Sequence, residues 1–100
     1  MELRFDWDKL KAAENYRKHG VRFEEGATVF HDPLSITIDD PDHSTDEQRC
    51  IDIGTSEDGR VLVVSYTERG LNICIISCRE ATRTERRQYE EGIDGNNPYR

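Results

Sequence analysis

The stretch VLVVSYTERGLNICIISC, residues 61–78, decides the fold, because it reads as two strands joined by a tight turn. VLVVSYT (61–67) is strongly apolar, which is typical of a central strand. ERGL (68–71) turns the chain, and NICIISC (72–78) forms the second strand. The stretch therefore predicts a pair of antiparallel strands near the centre of a sheet.

Three more strands are expected on the N-terminal side of this pair. ELRFDW (2–7) alternates apolar and charged residues, and LSITI (34–38) alternates with Leu34, Ile36 and Ile38 inward. RCIDIG (49–54) precedes Asp58-Gly59, a strong turn signal that predicts a hairpin leading into residue 61.

Two helices are predicted between the first strand and the second. Asp8 suits the N-cap of a helix over KLKAAENYRKH (9–19), and Gly20 suits its C-terminal end. EEGATVF (24–30) forms a second, shorter helix. The residues of the first helix that we expect to face inward are Leu10, Ala13 and Tyr16.

A last helix follows the final strand. Thr82 and Glu85 have the spacing of a capping box, which predicts a helix over residues 83–91 that ends at Gly92. The element order is then β-α-α-β-β-β-β-α. This order predicts a single α+β domain with a mainly antiparallel sheet, an N-terminal helix pair and a C-terminal helix.

The net charge of −7 is not spread evenly along the chain. Residues 31–48 carry six acidic groups and no Lys or Arg, so nearly all of the excess acidity lies there. A field of this sign repels nucleic acid, although a local arginine cluster near the C-terminus can still attract it. One hundred residues fit one domain with a modest core.

The cysteines and the N-terminus exclude several classes of protein. An odd number of cysteines argues against a disulfide scaffold, and no Cys/His spacing resembles a zinc site, so we expect no metal and no cofactor. MELRFDWDKLK (1–11) has no apolar run. We therefore expect no signal peptide, no membrane span and a cytoplasmic location.

Several motifs occur together in a fixed order. FDWDKLKAAENYRKHGVRFEEGATVFHDP (5–33) contains the patterns F-x-W-D, N-x-x-K-H-G-V and F-E-E. The later segments are DDPDHS…EQR, DIGTSEDGRVLVVSYTERG and IISCREATRTERRQYEEG. Together they resemble the BrnT family, the toxins of bacterial type II toxin–antitoxin pairs, over roughly residues 3–92. We expect a toxin domain over residues 1–92 and a tail over 93–100.

This resemblance implies a fold and a function. The fold would be RelE-like, and the activity would be RNA cleavage without a metal. The partner would be a BrnA-type ribbon-helix-helix antitoxin, in a heterotetramer that neutralises the toxin. Operator DNA would be bound only through the antitoxin, so that the complex represses its own operon.

Four residues are candidates for catalysis. Metal-independent RNA cleavage needs a base for the 2′-OH, cations for the phosphate and a proton for the leaving oxygen. The resemblance makes Arg69 and Arg79 candidates for binding the phosphate. Glu68 is either a general base or a salt-bridge partner that positions an arginine. His43 is a candidate acid or base, the alternative being a simply exposed loop histidine.

Four more residues are candidates for substrate binding. Tyr66 could stack on a base, the alternative being a place in the core. Arg83, Arg86 and Arg87 stand at helical neighbour spacing and could bind phosphates. Their alternative is a solvated helix face, balanced by nearby glutamates.

One position departs from the family pattern. The last strand usually reads IRIIS in the family, whereas this chain has ICIIS, so that Cys74 replaces a basic residue. The second hypothesis is therefore a catalytically weak or inactive relative that serves as the partner of the antitoxin in an autorepressor complex. A third, an unrelated interaction domain, would require the resemblance to be a coincidence.

Overall fold

The antiparallel pair predicted from residues 61–78 is formed by β4 (Val61–Arg69) and β5 (Asn72–Glu80), inside a five-stranded sheet. The computed structural model describes residues 2–39 and 49–95. The other elements are β1 (Arg4–Asp6), α1 (Lys9–His19), α2 (Phe23–Thr28), a 3₁₀ turn (Val29–His31), β2 (Ile36–Asp39), β3 (Arg49–Thr55) and α3 (Arg83–Gly95). The α+β class and the element order are as predicted.

The strand order in the sheet is β1-β5-β4-β3-β2. β1 runs parallel to β5, and the other neighbours are antiparallel. The turn between β4 and β5 is shorter than the predicted 68–71, because Arg69 still pairs with Asn72. The loop therefore consists of two residues, and Gly70 provides the left-handed conformation (φ 58°) that it requires.

The main core lies between the sheet and the N-terminal helices. Its buried side chains from the helical segment are Val21, Phe23 and Val29. Those from β4 and β5 are Leu62, Val64, Tyr66, Ile73, Ile75 and Cys78. On the other face of the sheet, Tyr89 of α3 packs with Ile53 and Val63 in a second, smaller core. The two helix layers thus cover opposite faces of one sheet.

The ends of α1 are as predicted, but its inward face is not. The Asp8 carboxylate accepts from the Leu10 and Lys11 N–H groups at 2.8 and 3.1 Å, and Gly20 is left-handed. Leu10 is 82% exposed, and Ala13 and Tyr16 are also exposed. Ala12 and Asn15 face the core instead. The prediction was wrong because hydrogen bonding, and not apolar size, determines which side of this helix is buried.

The edge strand β2 is also less buried than predicted. It begins at Ile36, which is partly buried against the second core. Leu34 precedes the strand and is 45% exposed, and Ile38 is 43% exposed. Only one of the three residues expected to face inward does so. Ile36 packs against Gly92 of α3, whereas Leu34 lies outside the strand.

α3 begins as predicted and ends later. Thr82 Oγ1 accepts from the Glu85 N–H at 3.2 Å, and Glu85 accepts from the Thr82 N–H at 2.9 Å, which is a capping box. The helix continues through Gly92 to Gly95. Gly92 lies against β2, where an added Cβ would be 3.3 Å from Ile36 Cγ2. This glycine therefore allows close packing and does not end the helix. Within the described ranges, no helix has both the length and the hydropathy to cross a membrane.

Candidate functional site

Glu68 and Arg69 are neighbours in the sequence, but at the end of β4 their side chains lie on opposite faces of the sheet. Because strand residues alternate, Glu68 lies on the face of Tyr66 and pairs with the buried Ile73. Arg69 lies on the opposite face and pairs with Asn72. Both side chains are exposed, but they do not lie together in one site. Glu68 and Arg69 thus belong to opposite sides of the sheet.

The face of Arg69 carries a continuous set of polar side chains from four strands. The registers place one row across Arg4, Asn72 and Arg69, and the next row across Asp6, Cys74, Thr67 and Arg49. A third pair is Ser65 with Ser77, and Arg79 lies beside Val63. We call these residues, without the apolar Val63, the polar half-face, which therefore has ten members. Helix α3 covers the other half of the same sheet face.

The polar half-face has the opposite charge to the protein as a whole. Four of its ten residues are arginines and one is an aspartate, which gives +4 − 1 = +3 in a chain of net charge −7. Adjacent strands lie about 4.8 Å apart, so the arginines of neighbouring strands can reach a shared polyanion. The Nε of Arg49 is buried and has no hydrogen-bond acceptor among the described residues.

A cavity of about 440 Å³ opens on this surface at the β4–β5 hairpin. Its lining residues are Asp6, Thr67, Arg69, Asn72, Ile73 and Cys74. Cys74 is exposed to solvent and lines this cavity together with Arg69. Cys74, where the resemblance leads us to expect a cation, therefore lines the same cavity as Arg69, a candidate phosphate ligand.

Arg79 is held by a carboxylate of α3. Its Nη1 and Nη2 donate to the two oxygens of Glu85 at 2.7 and 2.8 Å, and Nη1 also reaches the Glu80 carbonyl at 3.3 Å. The hydrogen bond from Arg79 lowers the pKa of Glu85 to about 2, against the opposing effect of burial. The same contact raises the pKa of Arg79. This bidentate ion pair joins the end of β5 to the first turn of α3.

The remaining arginine candidates lie on α3. Arg83, Arg86 and Arg87 are exposed. The Nε of Arg86 is 3.9 Å from a Glu90 oxygen, which is a weak, solvated contact. Because Glu85 of the same helix contacts Arg79, the first turn of α3 borders the polar half-face.

Tyr66 is a core residue. It is 3% exposed, and its ring makes an edge contact with Phe30 at a centroid distance of 4.9 Å. Its hydroxyl donates to the buried Asp52 at 2.8 Å, and Thr37 donates to the same oxygen at 2.8 Å. Burial raises the pKa of Asp52, partly offset by these two hydrogen bonds. The ring has no face available for a base, and the core alternative describes Tyr66.

His43 lies outside the described residues, so the structure does not place it. Among the described residues, no group of His, Cys, Asp or Glu side chains has the arrangement of a metal site.

Three charged residues of this surface were missed from the sequence. Arg4 and Asp6 belong to the site only because β1 pairs in parallel with β5, which no local pattern shows. Arg49 stands at the start of β3, opposite Thr67. Its place in the EQR motif was a signal, but its face could be assigned only from the register with β4.

Comparisons with known proteins show the family of this chain and a protein of similar fold. Residues 7–85 match the model of the family described as the ribonuclease toxin, BrnT, of type II toxin–antitoxin systems. The fold matches the crystal structure of the Brucella abortus ribonuclease toxin BrnT with a TM-score of 0.59 and 21% sequence identity. That match covers 81% of this chain and 99% of the other. A search among curated proteins found no significant match. The chain belongs to the BrnT family of ribonuclease toxins of type II toxin–antitoxin systems.

Proposed function

We propose that this protein is a metal-independent endoribonuclease that acts in the cytoplasm and binds RNA on the polar half-face. The observation that carries the proposal is the sign of the charge on this surface. A face of net charge +3 in a chain of net charge −7 concentrates its cations where a phosphodiester can reach them.

The proposed roles combine the candidates from the sequence motifs with the positions of those side chains that the structure describes. Arg69 and Arg79 hold the phosphate as its charge increases in the transition state. Arg83, Arg86 and Arg87 attract the flanking RNA from the exposed surface of α3. His43 is the proposed acid or base. Glu68 lies on the opposite face from Arg69, so it can act as the base only on RNA that passes around the hairpin end.

The membership of a type II family implies an antitoxin partner. We propose that this partner is a BrnA-type ribbon-helix-helix protein in a heterotetramer, which neutralises the toxin and carries the complex to operator DNA. A DNA-binding partner has a positive surface, and the acidic segment 31–48 of this chain has the complementary charge. We further propose that residues 1–92 are the toxin domain.

The second candidate is a weak or inactive toxin that serves only as the partner of the antitoxin. One observation favours it. Cys74 lines the same cavity as Arg69, at the position where the family pattern has a basic residue. This chain therefore has one cation fewer beside its candidate phosphate ligand.

The test is cleavage of purified RNA by the purified chain in EDTA. We expect the parent to cleave, and we expect Arg69→Ala and Arg79→Ala to lose activity by about a hundredfold or more. Glu91→Gln, on an exposed part of α3, is the control and should cleave as the parent does. Parent activity that survives both arginine substitutions would place the site elsewhere. An inactive parent that becomes active as Cys74→Arg would establish the second candidate.

A further inference from the structure

The geometry of the Arg79–Glu85 pair leaves part of the guanidinium available. Glu85 occupies the end formed by Nη1 and Nη2, and the Glu80 carbonyl takes another hydrogen of Nη1. A guanidinium has five N–H donors, so these contacts leave the Nε hydrogen and one Nη2 hydrogen. Neither has an acceptor within the part of the chain that the structure describes. The side chain of Arg79 is 40% exposed, so this edge is accessible to solvent.

The remaining edge is itself a two-pronged donor. The Nε and Nη2 hydrogens of arginine are parallel, and their spacing matches two oxygens of one phosphate. An arginine held at one end by a carboxylate can therefore bind an anion by its side without releasing that carboxylate.

Glu85 is in turn fixed in place. It accepts the Thr82 N–H in the capping box at 2.9 Å. One turn further along α3, the Tyr89 hydroxyl donates to Asp32 at 2.5 Å and lies 3.0 Å from Thr55 Oγ1. These contacts connect α3 to Asp32, directly after the 3₁₀ turn, and to Thr55 at the end of β3. The position of the Glu85 carboxylate, and with it that of Arg79, is thus determined by the packing of the whole helix.

We propose that Glu85 is a positioning residue, which holds Arg79 by its Nη1–Nη2 end and thereby directs its Nε–Nη2 edge at a phosphate of the RNA substrate. This inference rests on the proposed function. Glu85 is not the general base, because a carboxylate with a pKa of about 2 is too weak a base to accept the 2′-OH proton.

The test is a double-mutant cycle of Glu85→Gln and Arg79→Ala, with cleavage kinetics as the readout. Gln keeps the capping function at this position, because its amide oxygen also accepts the Thr82 N–H. We expect Glu85→Gln to lower kcat about tenfold to a hundredfold, since a misplaced contact costs rate and not only affinity. In the Arg79→Ala background, the same substitution should change the rate less than twofold.

Two controls separate positioning from charge and from helix stability. Glu91→Gln makes the same change in net charge on an exposed part of α3 and should leave kcat unchanged. Thr82→Ala removes the Thr82 hydroxyl from the cap but leaves the Glu85–Arg79 contact, so kcat should stay within twofold of the parent.

The outcomes are distinct. Equal rates for Glu85→Gln and the parent, a faster Glu85→Gln, or an equal loss with and without Arg79 would each overturn the positioning role. If the parent does not cleave, the proposed function fails. The positioning role is then judged on binding of a 2′-O-methyl RNA oligonucleotide. Glu85→Gln and Arg79→Ala should each weaken this binding about tenfold without adding to one another, and additive losses or none would overturn the inference.

Discussion

The side-chain amide of Asn15 hydrogen-bonds both backbone polar groups of Cys78. Its Nδ2 donates to the Cys78 carbonyl at 2.7 Å, and its Oδ1 accepts from the Cys78 N–H at 3.1 Å. The same Nδ2 donates to the Val21 carbonyl at 2.9 Å. β1 pairs only with residues 72–74 of β5, so Asn15 takes the place of a neighbouring strand further along β5.

Replacement of Asn15 should therefore be costly. Asn15→Ala leaves one N–H and two carbonyl groups without partners in a buried region, which we expect to reduce the free energy of unfolding by about 2–4 kcal/mol. Urea denaturation measures this change. Glu14→Ala, at the neighbouring exposed position, should stay within about 0.5 kcal/mol of the parent. A difference of less than 0.5 kcal/mol for Asn15→Ala, on that same scale, would contradict this role.

This contact shows what the sequence could and could not predict about the fold. The strand and helix order followed from local patterns, because capping residues and alternation act over a few positions. Asn15 lies in the N-x-x-K-H-G-V pattern, but its partner Cys78 is 63 positions away. No local pattern contains that partner, so the apolar side of α1 was chosen as the inward face instead.

Two glycines provide a test of close packing. A Cβ at Gly54 would lie 2.9 Å from both Ser35 Cβ and Val29 Cγ1. We expect Gly54→Ala to destabilise the protein by about 2–3 kcal/mol, since neither neighbour is the end of a long side chain.

Gly26→Ala is the matched comparison within α2. Its Cβ would lie 3.1 Å from Cys78 Sγ, a tight contact, while Ala gains about 1 kcal/mol of helix propensity over Gly. The two effects should nearly cancel in thermal or urea unfolding. Equal losses at both positions would show that crowding does not decide the outcome.

The buried Asp52 should limit stability at neutral pH. Its burial raises the pKa above the usual value of 3.8, so the folded state holds the proton more strongly than the unfolded state. The stability of the parent relative to Asp52→Asn should then fall as the pH rises above about 4 and level off above the folded pKa.

A control variant tests the two hydroxyl groups, of Tyr66 and Thr37, that donate hydrogen bonds to Asp52. Asn retains an oxygen that can accept from Tyr66 and Thr37, whereas Ala leaves both hydroxyls without this acceptor. We expect Asp52→Ala to be about 2–3 kcal/mol less stable than Asp52→Asn at every pH, because neither Ala nor Asn titrates. Urea unfolding between pH 4 and pH 8 distinguishes the two variants, and a pH-independent gap between the parent and Asp52→Asn would contradict the raised pKa.

The stabilising contribution of the Arg79–Glu85 pair should increase as the pH rises, whereas that of Asp52 should decrease. The folded pKa of Glu85 is about 2 against a usual value of 4.5, so its contribution is complete above pH 4.5 and is lost as the pH falls toward 2. Allowing for solvent screening, we expect Glu85→Gln to cost about 1–2 kcal/mol at pH 7 and almost nothing near pH 2. The free energy of unfolding, measured as a function of pH, gives this cost. Glu91→Gln is the control, and its effect should not change with pH. A cost that persists at pH 2 would assign the effect to the cap instead of the ion pair.

The candidate site was predicted in part. Arg69, Arg79 and Cys74 were identified from the motifs, and the structure places all three on the polar half-face. Glu68 was grouped with Arg69 because residues 68–71 were predicted as a turn, in which neighbours can share one side. β4 continues to Arg69, so strand alternation separates the two. Arg4 and Arg49 depend on the pairing of strands, which the order of the motifs does not determine.

Introduction of a cation at position 74 should strengthen RNA binding. Cys74 lies between Asp6 and Thr67 in its row and beside Arg69 in the hairpin cavity, so Cys74→Arg adds a positive group where the RNA is proposed to lie. We expect the affinity for single-stranded RNA to rise about fivefold, which corresponds to about 1 kcal/mol for an exposed charge-assisted contact. One more phosphate contact should also steepen the dependence of log K on log salt by about 0.7. Filter binding or fluorescence anisotropy at several salt concentrations measures both quantities.

Cys74→Ser controls for the loss of the thiol, and Leu10→Arg adds the same charge to an exposed position of α1. If Leu10→Arg changes the affinity and the salt slope as much as Cys74→Arg does, the effect comes from net charge and the polar half-face is not the RNA surface.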